Sequence, residues 1–74
     1  MTWTPVYRWD APSGPVELDV NPAGILRETH VTTGPGGQEL RRRTWYYHQD
    51  SKTNRTHETL EGAAEEAAEK GWGK

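Results

Sequence analysis

The chain has 74 residues, a formal net charge of −2 and no cysteine. It therefore holds one small domain, and disulfide frameworks, thiolate metal sites and cysteine nucleophiles are excluded. Val, Leu, Ile and Phe make up about 12% of it, below the roughly 20% under which chains tend towards disorder. Four Trp and three Tyr work against that tendency, because each brings roughly 150–250 Å² of buriable surface. The expectation is a thin-cored domain that depends on its aromatics.

In chain order, Trp3 to Trp9 reads as an edge strand or as irregular coil within residues 1–15, because Pro5 removes a ladder donor. Pro12-Ser13-Gly14-Pro15, Asn21-Pro22-Ala23-Gly24 and Gly34-Pro35-Gly36-Gly37 are turn clusters. Between the first two, Val16-Glu17-Leu18-Asp19-Val20 alternates strictly, which predicts a strand with Val16, Leu18 and Val20 facing inward. Ile25 to Thr33 predicts a second strand whose apolar side is the odd one, Ile25/Arg27/Thr29/Val31. Gln38 to Gln49 is the strongest strand, ending in Trp45-Tyr46-Tyr47. Asp50 to Asn54 reads as a turn, with Asp or Asn able to take the left-handed conformation, and Arg55 to Glu58 as a returning strand, so that residues 40–58 form a hairpin.

Leu60, Ala63, Ala64, Ala67 and Ala68 recur at helical spacing and predict a helix over 60–70 with one apolar stripe and Glu61, Glu65, Glu66 and Glu69 on the rest. Thr59 suits the N-cap and Gly71 the left-handed position past the end. Glu66 and Lys70 suit an i, i+4 pair, and Trp72 suits a fold-back onto the last turn near Ala67. A stripe of alanines requires a broad, flat platform close by, and an aromatic sheet supplies one. The fold class is α+β: an antiparallel three- or four-stranded meander over residues 16–58 with one C-terminal helix on one face.

No catalytic constellation is legible. His30, His48 and His57 lack helical metal-ligand spacing; His48, His57 and Glu58 across the hairpin are a weak zinc set. Gly34 to Gly37 lacks the Lys-Ser/Thr of a phosphate loop. A non-enzymatic binding module is expected, with no catalytic residue, cofactor or metal. Net charge runs from −1 over residues 1–27 to +2 over 28–57 and −3 over 58–74, which places a basic middle beside an acidic tail.

The basic middle carries the functional reading. One face of the strongest strand shows Arg41, Arg43, Trp45 and Tyr47, the other Leu40, Arg42, Thr44, Tyr46 and His48. A helix over the Tyr46 side leaves a row of arginines and aromatics open, with Arg27, Lys52 and Arg55 from neighbouring segments, as a nucleic-acid-binding sheet requires. A helix over the Trp45 side makes those rings core and the arginines edge gatekeepers. Residues 43–69, Arg43-Thr44-Trp45-Tyr46-Tyr47, Asp50-Ser51-Lys52-Thr53, Arg55, Thr59-Leu60-Glu61, Ala63 and Glu66-Ala67, resemble the last hairpin and helix of the phage-integrase arm-binding and plant ethylene-response-factor domains. That resemblance implies a sheet entering the major groove, with Arg41, Arg43, Trp45, Lys52 and Arg55 on the DNA face. Tyr47 joins them as a candidate from its place in the row. The alternative function is protein interaction or assembly, including a homodimer, through the N-terminal Trp3, Tyr7 and Trp9 or the acidic helix. No apolar run approaches the ~20 residues of a membrane-spanning helix. The first residues lack a signal-peptide pattern, so the default expectation is a cytoplasmic protein without membrane contact.

Overall fold

Three tight turns built on proline, asparagine and glycine fold the first two-thirds of the chain into a meander. A computed structural model describes residues 2–53 and 55–72. The strands are β1 (Thr4–Ala11), β2 (Gly14–Val20), β3 (Ile25–Thr33) and β4 (Glu39–His48), antiparallel throughout and in the spatial order β1-β2-β3-β4. The helix α1 (Leu60–Lys70) follows. The α+β meander expected from the sequence is the observed architecture, with four strands.

Each turn has an identifiable cause. At the β1–β2 turn Gly14 has φ 140°, and a Cβ there would fall 1.9 Å from the Val31 carbonyl oxygen, so only glycine fits. At the β2–β3 turn the buried Asn21 side-chain oxygen accepts from the backbone N–H of Ala23 at 3.0 Å and of Ile25 at 2.9 Å. At the β3–β4 turn the Gly34 N–H donates to the Gln38 carbonyl at 2.8 Å. Pro5 sits on the outer strand β1, where a missing N–H is tolerated, and the register slips beside it, between Pro5 and Tyr7.

The pairing divides the side chains between two faces. In register across β2, β3 and β4, Asp19, Arg27 and Tyr46 lie together, as do Glu17, Thr29 and Thr44; Ile25 and His48 pair on the same face. That is the face α1 covers. Its core is Ile25, Ala63 and Ala67, with Trp3, Tyr46, Leu60 and Trp72 packed around them. The odd-numbered side of β3 is therefore the inner one, as its pattern predicts. The opposite face has no covering element among the described residues.

Several expectations need correction. Val16, Leu18 and Val20 alternate as predicted but point away from the helix: Val16 pairs with His30, Leu18 with Glu28 and Val20 with Leu26, on the uncovered face. The inner side of β2 is instead Glu17 and Asp19. The returning strand Arg55 to Glu58 contracts to one bridge, in which Tyr46 and His57 exchange backbone hydrogen bonds of 2.8 Å each way. The left-handed role offered for Asn54 lies outside the described residues. The helix starts and stops as expected: Thr59 accepts from the Gly62 N–H at 3.0 Å, Gly71 is left-handed, and the Trp72 N–H returns to the Ala67 carbonyl at 2.9 Å. Its buried residues, however, are Ala63, Glu66 and Ala67, while Ala64 and Ala68 are exposed. Glu66 thus faces the sheet.

Candidate functional site

The helix side of the sheet is internally neutralised. Asp19 is buried and accepts from the Arg8 guanidinium at 2.8 Å and from Arg27 at 3.2 Å. Burial alone would raise its pKa, but the two guanidinium bonds outweigh it and hold the carboxylate below its ordinary range. Arg27 also lies 4.3 Å from the Trp3 ring centre, a cation–π contact. Glu66 meets His57 at 3.0 Å, Arg55 at 3.4 Å and the Thr53 hydroxyl at 3.4 Å. The His57 bond is the main cause of its lowered pKa. His48 is buried; its Nδ1 accepts from the Asp50 N–H at 3.0 Å, which leaves Nε2 to donate to the Ala23 carbonyl at 3.1 Å. His48 and His57 are therefore in separate hydrogen-bonded settings, and no metal-ligating group of three occurs among the described residues.

The other face carries the candidate site. Arg41 pairs with Thr32, Arg43 with His30, Trp45 with Glu28 and Tyr47 with Leu26, so these four candidates share the uncovered side. Beyond them across β2 and β1 lie Val16, Leu18, Val20, Tyr7 and Trp9. Tyr7 and Trp9 are 55% and 53% exposed, so the N-terminal aromatics divide: Trp3 closes over the helix-side core, while Tyr7 and Trp9 project. Arg41 and Arg43 are exposed and meet no carboxylate among the described residues, whereas Arg42 points to the other side and is held by Glu39 at 2.8 Å. The alternation of the strand, read with the position of α1, leaves the arginine–aromatic row open.

Glu28 is the one acid of β3 on this side, and it is occupied. It accepts from the Tyr47 hydroxyl at 3.0 Å and meets His30 Nε2 at 2.6 Å. His30 in turn stacks on the Trp45 indole, ring centres 4.6 Å apart. Burial, reinforced by the Glu28 carboxylate, pushes the Tyr47 phenol up to about 12. A cleft of about 340 Å³ opens beside these groups, with Glu28, Trp45, Tyr47, Ser51, Arg55 and Thr56 in its lining. Glu28 and His30 are the site residues that sequence reasoning missed; the signal was their position on the Leu26/Glu28/His30/Thr32 side of β3.

The remaining candidates separate from the row. Lys52 lies with Gln49, Asp50, Ser51 and Trp72 around a second depression. Arg55 is committed to Glu66, although it also lines the cleft beside Trp45. The exposed acids of α1, Glu61, Glu65 and Glu69, lie on the helix itself and so on the opposite side of the sheet. Among the described residues, Arg41 and Arg43 thus stand unpaired on the open face, while Glu61, Glu65 and Glu69 lie on the helix side together with Lys70. Compared with protein-family models, curated proteins and solved structures, the chain gives no match. No helix among the described residues is long and apolar enough to cross a membrane.

Proposed function

We propose that the chain is a small non-enzymatic binding module whose open sheet face holds a nucleic acid. The observation that carries this reading is the side on which α1 packs: with the helix over Tyr46 and His48, Arg41 and Arg43 stand free beside Trp45 on the uncovered face. Guanidinium groups neutralise phosphate and release counterions, and aromatic faces accept bases. Glu28, which would oppose phosphate, is held by Tyr47 and His30.

The test is a titration of labelled DNA and RNA at two salt concentrations. Affinity should fall steeply with salt, and Arg41→Ala with Arg43→Ala should reduce the slope of log K against log salt by roughly 1.4–1.8, about 0.7–0.9 for each lost phosphate contact. Unchanged binding and slope in that double variant would remove the reading. A second reading, docking of a protein partner, is favoured by one observation: Val6, Tyr7 and Trp9 are each more than half exposed along β1. Binding of a protein abolished by Tyr7→Ala and Trp9→Ala, with no affinity for nucleic acid, would select it.

A further inference from the structure

We infer that the cleft beside Trp45 and Tyr47 receives a single unpaired base, so that the nucleic acid bound is single-stranded; this rests on the nucleic-acid reading above. Trp45 and Tyr47 are two residues apart on one strand and one face. Their Cα atoms are then roughly 6.7 Å apart, which leaves room for one planar ring between side chains standing off the sheet. His30 stacks on the indole, backing the ring while the part of Trp45 that lines the cleft remains available. Tyr47 is pinned by its bond to Glu28, so both rings are held in place before a ligand arrives and little side-chain freedom is lost on binding.

The polar lining suits a nucleobase. Each Glu28 oxygen already has one partner, Tyr47 or His30, but a carboxylate offers about four acceptor positions, so capacity remains for a base N–H. Ser51, Thr56 and Arg55 complete the lining; Arg55 is paired with Glu66 through one guanidinium nitrogen, so a phosphate attached to the bound base would draw on its remaining N–H groups. A volume of about 340 Å³ is at the small end for ligand sites. A paired, stacked base reaches such a cleft only by leaving the duplex, at a cost an unpaired strand does not incur.

The experiment compares a single strand of about 12 nucleotides with the blunt duplex of the same sequence, with free mononucleotides as a third probe, using ¹H–¹⁵N spectra of the whole chain and anisotropy. The single strand should bind at least roughly tenfold more tightly than the duplex, moving the Trp45 indole N–H signal. Trp45→Leu should weaken it by about ten- to a hundredfold, and Trp45→Phe, which keeps a ring, should retain most of it. Folding of both variants is read from the dispersion of the same spectra. Equal affinity for strand and duplex, with Trp45 unmoved and Arg41 and Arg43 still required, would overturn the base site and leave the nucleic-acid reading intact. Mononucleotides binding as tightly as the strand would overturn the assignment to a strand. Absence of binding to every probe would overturn both.

Discussion

Replacing Ile25 by alanine tests how the helix is held to the sheet. Ile25 is 2% exposed and is the one large aliphatic side chain among the buried residues of the helix–sheet core, whose helical members are Ala63 and Ala67. Ile25→Ala removes three carbons, about 2.4 kcal/mol of burial at about 0.8 kcal/mol each. The cavity adds to this, because two alanines have no side-chain length with which to fill it. Within the range of about 2–5 kcal/mol for such truncations, about 3–4 kcal/mol is the expected loss. At roughly 0.05–0.15 kcal/mol per residue, the whole domain has about 4–11 kcal/mol, so the variant should lie near the edge of folding. Urea titration followed by far-ultraviolet circular dichroism and tryptophan fluorescence measures the change. Ile25→Val should cost about 0.5–1.5 kcal/mol, and Leu40→Ala, at a position 61% exposed, less than about 0.5 kcal/mol. An Ile25→Ala loss no larger than that of Leu40→Ala would refute the placement of the core.

Other perturbations probe separate parts of the structure. Gly14→Ala should sharply lower the urea midpoint, since its methyl group would overlap the Val31 carbonyl; a midpoint equal to the parent's would refute that approach of β3 to the turn. Asp19 and Glu66 have folded-state pKa values below their ordinary 3.8 and 4.5. Their contribution is therefore complete above those values and is lost as pH falls through the lower folded ones. Urea midpoints should decline below about pH 4.5, and Asp19→Asn should be less stable at neutral pH with a flatter acid limb. Absorbance titration of the phenols should show one of the three tyrosines ionising near 12. Tyr47→Phe should remove that step and Glu28→Gln should bring it towards 10. Because the folded state holds that proton more tightly, the stability contributed by Tyr47 is lost between about pH 10 and 12.

The strands, turns and helix were legible because each rests on local chemistry. Val16 to Val20 alternates, Asn21 and Gly24 close a turn, and Thr59 and Gly71 bracket the helix. What could not be read was which side of β2 and β4 the helix would choose. Val16, Leu18 and Val20 form the most apolar alternation in the chain, and apolar character ordinarily marks the inside. The structure puts charged Asp19 inward instead, because Arg8 and Arg27 from the two flanking strands neutralise it there. Glu66 escaped for the same reason: its partners His57, Arg55 and Thr53 come from the segment before the helix, which has no periodic signature. Gly62, which on propensity alone weakens the helix, has a reason in the fold, since a Cβ there would sit 3.2 Å from His57 Nδ1. The row Arg41, Arg43, Trp45 and Tyr47 was visible as a row; its exposure, and the Glu28–His30 pair beside it on β3, depended on tertiary pairing.

The helix covers only the end of the sheet where Ile25 meets His48, while β3 and β4 run on to a turn at Gly34 to Gln38 in a molecule 45 Å long and 20 Å across. Backbone amides along this ribbon should consequently trade their hydrogens with deuterated solvent at very different rates, slowest around Ile25 and Tyr46, fastest near Thr32 and Arg41. The domain would then unzip from its distal tip, where the guanidinium groups stand, well before its anchored end lets go. Such a surface joins a compliant charged end to a still, aromatic one.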